Sequence, residues 1–96
     1  MNMMSEDIIK KVVAKAVMNG WKDKELFISV EKSDSTDPQL RITDKNNNMT
    51  VYSFTYIMFS HDFARAFFKE DGLNWEARLQ SLATSKNRLE YLQQFI

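Results

Sequence analysis

The stretch YSFTYIMFSHDFARAFFKED, Tyr52 to Asp71, holds five of the seven Phe residues, two of the three Tyr residues and the single His of a 96-residue chain. Its reading decides the fold. Positions 57, 58, 61, 64, 65 and 68 recur at helical spacing, as do 59, 63, 66, 67 and 70. On a helix running from about Phe54, the polar residues Thr55, Asp62, Arg65 and Lys69 share one narrow stripe and nearly everything else is apolar. A helix apolar almost all round belongs in an interior. Ser53 or Ser60 suits its N-cap, and Gly72 suits a left-handed stop at its C-terminal end. Met49 to Phe59 is also rich in β-branched and aromatic residues, which favour a strand. The two signals together predict a strand at about 49–53 followed by a buried helix.

Working outward, residues 5–19 predict an amphipathic helix. Ser5 is a good N-cap, Glu6 and Asp7 suit the positive end of the helix dipole, and Ile8, Ile9, Val12, Val13, Ala16 and Val17 form one core-facing stripe. Lys10, Lys11 and Lys15 are expected largely away from that stripe. Asn19-Gly20 ends the helix, with Trp21 folding back on its last turn. From Glu25 to Glu31 the apolar residues Leu26, Ile28 and Val30 alternate with Phe27 and Ser29, the pattern of a half-buried strand. KSDSTDP at 32–38 is a loop of turn formers, Leu40–Thr43 a second strand, and DKNNN at 44–48 a hairpin loop whose Asn residues tolerate the left-handed conformation. Beyond Gly72, Asn74 suits the cap of a helix over 75–84, with Trp75, Leu79 and Leu82 on one face. Ser85 or Thr84 suits the start of a last helix over 86–95, with the stripe Leu89, Leu92 and Ile96 and Phe95 beside it. The order is helix, three strands, three helices. This predicts a single α+β domain over 1–96 in which a small three-stranded antiparallel sheet has one face covered by helices.

Composition narrows the function classes. There is no Cys, so neither a disulfide framework nor a thiolate metal site is expected. The start MNMMSEDIIKK lacks a basic region leading into an apolar run, so no signal peptide is expected, and no apolar run reaches membrane-spanning length. Thirteen basic residues balance thirteen acidic ones; residues 1–48 carry eight of each and residues 49–96 five of each. Neither half has the basic face that broad nucleic-acid binding needs.

The C-terminal half carries a recognisable pattern: MFSHDFARAFF at 58–68, NWEARLQSL at 74–82 and LEYLQQF at 89–95. It resembles a family of short bacteriophage and prophage proteins of unassigned function. That family has a similar "FxHDFAKAFWG" stretch, a Trp-containing helix with a Leu-Gln pair and a "YLxxF" end. The likeness covers roughly the last 40 residues, and Phe68-Lys69 stands where Trp-Gly is common in the family. The resemblance implies an accessory protein of a phage or mobile element, acting in the cytoplasm of a bacterial host. It supplies no catalytic residues.

Read on its own chemistry, the chain offers little for catalysis. His61-Asp62 is the one pairing that suggests acid/base work, yet neighbours on a helix point about 100° apart and do not form a dyad by themselves. The bland alternative is Asp62 in the first turn of a helix capped by Ser60, or paired with Arg65, with His61 at the core edge. One His, no Cys and scattered carboxylates give no metal-ligand spacing, and two Gly residues give no phosphate-cradling loop, so no cofactor or metal is expected. Tyr52, Phe54 and Tyr56 alternate as base-stacking residues do, but without interleaved basic residues an aromatic core is the better reading. These considerations favour a non-enzymatic protein that binds a host or phage protein or ribonucleoprotein complex and modulates it, inhibition of a bacterial defence system (an anti-CRISPR role) being a specific case. The candidate contact residues are Lys32, Asp34 and Asp37 in the first loop, Lys45 and Asn47 in the hairpin, and His61, Asp62 and Arg65 on the central helix. The alternative is a nucleic-acid-associated regulator using Lys10, Lys11, Lys15, Lys22 and Lys24, offset by Glu6, Asp7, Asp23 and Glu25. The high aromatic content also raises self-association as a homodimer.

Overall fold

The sheet is a meander. In a computed structural model of the chain, which describes residues 5–22, 25–32 and 37–96, strand β1 (Phe27–Glu31) pairs antiparallel with β2 (Gln39–Thr43), and β2 with β3 (Met49–Ser53). Val30 lies opposite Leu40, and Leu40 opposite Tyr52; Ile28 lies opposite Ile42. Because side chains alternate across a strand, these residues make one face, and Val30, Leu40 and Ile42 are buried on it. The opposite face carries Phe27, Ser29, Arg41, Met49 and Val51 and stays open, with Phe27 75% and Met49 56% exposed. An antiparallel sheet with one packed and one solvated face is the expected outcome of the alternation.

Helices cover the packed face. Helix α1 (Ser5–Met18) buries Ile8, Ile9, Val12, Val13 and Ala16, the stripe read from the sequence. It ends in a Schellman motif: Trp21 N–H donates to the Ala16 carbonyl (2.9 Å), Gly20 N–H donates to that of Val17 (3.0 Å), and Gly20 takes φ 102°. The indole of Trp21 then packs edge-on against Phe63, ring centroids 5.1 Å apart. The α+β class and the order of one helix, a three-stranded antiparallel sheet and then helices are those predicted.

The central aromatic stretch departs from prediction in one respect. It is two helices, α2 (Phe54–Met58) and α3 (His61–Phe67), separated by Phe59 and Ser60. Both serines cap. Ser53 Oγ accepts the Tyr56 N–H (3.0 Å) and Ser60 Oγ accepts the Phe63 N–H (3.3 Å), each serine with extended backbone. Asp37 Oδ1 accepts the Thr55 N–H (3.3 Å) and the Pro38 carbonyl accepts that of Phe54 (2.8 Å), so the first three N–H groups of α2 are all satisfied. The break lets one aromatic stretch turn a corner. Phe54, Ile57 and Met58 are buried from α2, and Phe63, Ala64, Ala66 and Phe67 from α3.

The expected glycine stop is also absent. Helix α3 ends at Phe67 and a 3-10 helix (Lys69–Asn74) leads into α4 (Trp75–Thr84). Asn74 therefore precedes α4 without a side-chain cap. Helix α5 (Arg88–Gln93) is capped by Asn87, whose Oδ1 accepts the Glu90 N–H (3.1 Å), in place of Ser85 or Thr84. Leu82 and Leu92 are fully buried, while Ile96 is exposed and Phe95 packs against the core in its stead.

Phe67 is the best-packed ring, stacked on Phe63 and edge-on to Phe68 and Phe95. Replacing it, Phe67→Ala, is expected to cost about 3–5 kcal/mol, enough to bring a domain of ordinary stability close to unfolding. Ser60→Ala removes only a cap and is expected to cost about 1 kcal/mol. Urea unfolding followed by far-UV circular dichroism measures both.

Candidate functional site

The candidate contact residues separate into three places. Lys32 and Asp37 flank the β1–β2 loop, and Asp34 lies outside the described residues. Lys45 and Asn47 lie in the β2–β3 hairpin, at the other end of five-residue strands. His61, Asp62 and Arg65 are exposed together on α3.

Two of the three places are occupied by structural work. Asp37 serves the start of α2, and its hydrogen bond with the Thr55 side chain holds its carboxyl below the ordinary aspartate value. Lys32 leaves β1 with φ 55°. In the hairpin, Asp44 Oδ1 accepts the N–H groups of Asn46 (2.8 Å) and Asn48 (2.9 Å), and Asn47 takes the left-handed conformation with φ 64°. Lys45 forms a loose ion pair with Glu25 at 3.9 Å, both side chains exposed, which contributes little.

The third place is different. His61 is not at the core edge, as its sequence context suggested. It is exposed, and its ring rests against Trp75 with centroids 5.3 Å apart. Asp62 holds Arg65 at 3.3 Å one turn on. Between the end of α2, the start of α3 and helix α4 runs a groove of about 530 Å³, with Phe59 and His61 on one side and Trp75, Glu76, Leu79, Gln80 and Ala83 on the other. Trp75, Leu79 and Ala83 recur every four residues and so line one face of α4. Two guanidinium groups sit over the aromatic floor, Arg65 at 5.8 Å from the Trp75 ring centre and Arg88 at 4.9 Å from that of Phe59. Trp75, Leu79 and Arg88 were in view in the sequence as helix residues. The meeting of Trp75 and Leu79 with His61 depends on the 3-10 segment that leads into α4, and Arg88 arrives from α5.

Among the described residues His61 has no hydrogen-bonding partner to orient it, and no three His, Cys, Asp or Glu side chains gather as a metal site would require. No helix among the described residues is long and apolar enough to cross a membrane.

The lysine cluster read as a nucleic-acid surface is dispersed by the fold. Lys15 does not point away from the core stripe. Its Nζ donates to the Phe95 carbonyl (2.6 Å), lies 3.4 Å from Glu70 Oε2, and sits 4.7 Å from the centre of the Phe67 ring. Lys22 lies over Trp21 at 4.9 Å, and Lys24 is outside the described residues. Lys10 and Lys11 remain exposed on α1.

Comparison of the chain with protein-family models, curated protein sequences and solved structures finds no match in any of the three.

The hairpin yields a pH prediction. The backbone N–H of Asn48, followed by that of Asn46, holds the Asp44 carboxyl below its ordinary value. A depressed folded-state pKa means that the stabilisation is present above the unfolded-state value and is lost as pH falls through the folded one. Carbon-detected NMR titration is expected to place the Asp44 midpoint below 3.8, the unperturbed value. Cross-strand contacts of the hairpin should weaken over the same range, and Asp44→Ala should abolish this acid dependence.

Proposed function

We propose that the protein is a small non-enzymatic accessory protein of a phage or mobile element that binds a macromolecule of the bacterial host or of the phage and modulates it. The observation that carries the reading is the α3–α4 groove. It is lined by a half-buried Trp75 with Phe59 and Leu79, and the guanidinium groups of Arg65 and Arg88 lie against the Trp75 and Phe59 rings at its margin. Trp and Arg set in an apolar recess are the residues that dominate binding energy at protein interfaces, and the surrounding polar side chains exclude water from them. His61 lines the same recess, while Asp62 and Arg65 line the neighbouring one with Trp21 and Lys69. The resemblance of residues 58–95 to short phage proteins supports the source, and with it a place of action in the host cytoplasm. Within this reading, inhibition of a bacterial defence system is the specific case, by analogy of class. The target is a protein or a ribonucleoprotein complex, because the protein-facing chemistry is built and the lysines are spread apart or engaged internally.

The test is affinity capture of the tagged chain from a bacterial host, with Gln80→Arg and Glu76→Arg to obstruct the groove from exposed positions on α4, and Lys45→Glu as a distant control. One stoichiometric partner is expected with the wild-type chain and with Lys45→Glu, reduced at least tenfold by either groove variant. Equal capture by the groove variants would overturn the assignment of the site. No partner, together with unchanged phage growth on defended hosts, would overturn the function.

A further inference from the structure

The open edge of the sheet carries a second surface, distinct from the groove. The sheet order is β1-β2-β3, so β3 is an edge strand. Which of its backbone groups are free follows from the ladder. The Asp44 N–H donates to the Asn48 carbonyl (3.0 Å) and the Phe54 N–H donates to that of Pro38 (2.8 Å), and both pairs continue the β2–β3 register. Hydrogen-bonded and non-bonded pairs alternate along an antiparallel ladder. Asn48, Thr50, Tyr52 and Phe54 therefore face β2, and the N–H and C=O groups of Met49, Val51 and Ser53 face outward.

Proteins usually protect such an edge with a Lys, a Pro, a bulge or a covering loop. Among the described residues β3 itself carries no Lys, Pro or bulge, and Lys22 of the α1–β1 connection lies 5.9 Å from the Tyr52 ring. No Lys, Arg, Asp or Glu occurs from Asn46 to His61. Met49, Thr50 and Val51 are all exposed, so the strand is open on both faces over three successive residues. Tyr56, 68% exposed, stacks on Tyr52 at 6.3 Å beside the same edge.

We infer that β3 pairs with β3 of a second copy of this chain, antiparallel about a two-fold axis at Val51, to give a six-stranded sheet. The occupant follows from symmetry and charge. A strand that pairs with itself across a two-fold sets each side chain near its own copy, so any charge close to the axis meets a like charge. The run from Asn46 to His61 is free of that penalty, and the whole chain has a formal net charge of zero, which favours association over repulsion. The register is set by the free groups. Val51 of one copy exchanges two hydrogen bonds with Val51 of the other, and Met49 does the same with Ser53 on either side. Thr50 of one copy then lies against Tyr52 of the other. A two-fold perpendicular to the sheet keeps both helical layers on one side and joins the two open faces, so that Val51 meets Val51 and the exposed Met49 and Val51 of one copy continue into those of the next.

The experiment uses the full chain, whose lack of Cys makes engineered thiols unambiguous. Val51→Cys is expected to form an intermolecular disulfide on mild oxidation, because directly opposed residues of paired strands lie within disulfide reach. Ser29→Cys, on the same face of β1, is expected to stay monomeric, since five strand spacings of roughly 4.8 Å separate the two copies of that position. Sedimentation equilibrium should give a dimer for the wild-type chain and at least tenfold weaker association for Val51→Lys. A wild-type chain that is monomeric up to millimolar concentration would overturn the inference. So would Val51→Lys associating as tightly as wild type. Ser29→Cys crosslinking as readily as Val51→Cys would overturn it in favour of face-to-face packing of the open sheet faces.

Discussion

The ammonium of Lys15 over the ring of Phe67 is the contact on which the helical layer depends. Phe67 is fully buried from α3, and Phe68 and Phe95 meet it edge-on. Lys15 comes from α1, donates to the Phe95 carbonyl and lies by Glu70 of the 3-10 segment. One side chain therefore ties together the first helix, the end of α3, the 3-10 turn and the last residues. A partly buried ammonium is tolerated only when its hydrogen-bonding capacity is met. Here a carbonyl, a carboxylate and two ring faces meet it. The hydrocarbon stem of the lysine is then free to join the apolar packing.

Periodicity made much of this fold legible. The stripe of α1, the glycine that ends it, the alternation of β1 and the limits of β3 and α4 follow from patterns that a single element imposes on itself. The break at Phe59-Ser60 did not, because positions 57, 58, 61, 64, 65 and 68, most of them apolar, keep helical spacing straight through it. In sequence Ser53 and Ser60 look like alternative caps of one helix; each caps its own. What decides between one long helix and two short ones is whether the aromatic side chains pack better round a corner, and that depends on partners far away in the chain. Lys15 was misplaced for a related reason. Its position beside the apolar stripe is visible, but the carbonyl that turns it inward belongs to Phe95.

The candidate site was half legible. His61, Asp62 and Arg65 fall within five residues, so their grouping on one helix needed no tertiary information. Helical spacing puts Trp75 on one face with Leu79 and Leu82, and only the chain path through Lys69–Asn74 makes it the neighbour of His61. The loop residues show the converse. Asp37 and Asn47 drew notice because turn-forming polar residues are common at binding loops, and the fold employs them in capping α2 and in turning the hairpin. The charge-free run around β3 was present in the sequence too, but it gained meaning only once the strand order put β3 at an edge.

The reach of Lys15 has a further consequence for how the chain is made. Its hydrogen bond spans 80 residues, and α1 packs chiefly on α3 and α5. Helix α1 precedes its main partners in the chain: β1 covers part of it, and its stripe of Ile8, Ile9, Val12 and Val13 lacks full cover until α3 and then α5 have been synthesised. Contacts so distant in sequence close late, and an apolar helix waiting for them is open to off-pathway association. The nascent chain thus passes through an interval in which the α1 stripe is only partly covered, and chaperone dependence would be set by the time needed to translate from α1 to Phe95.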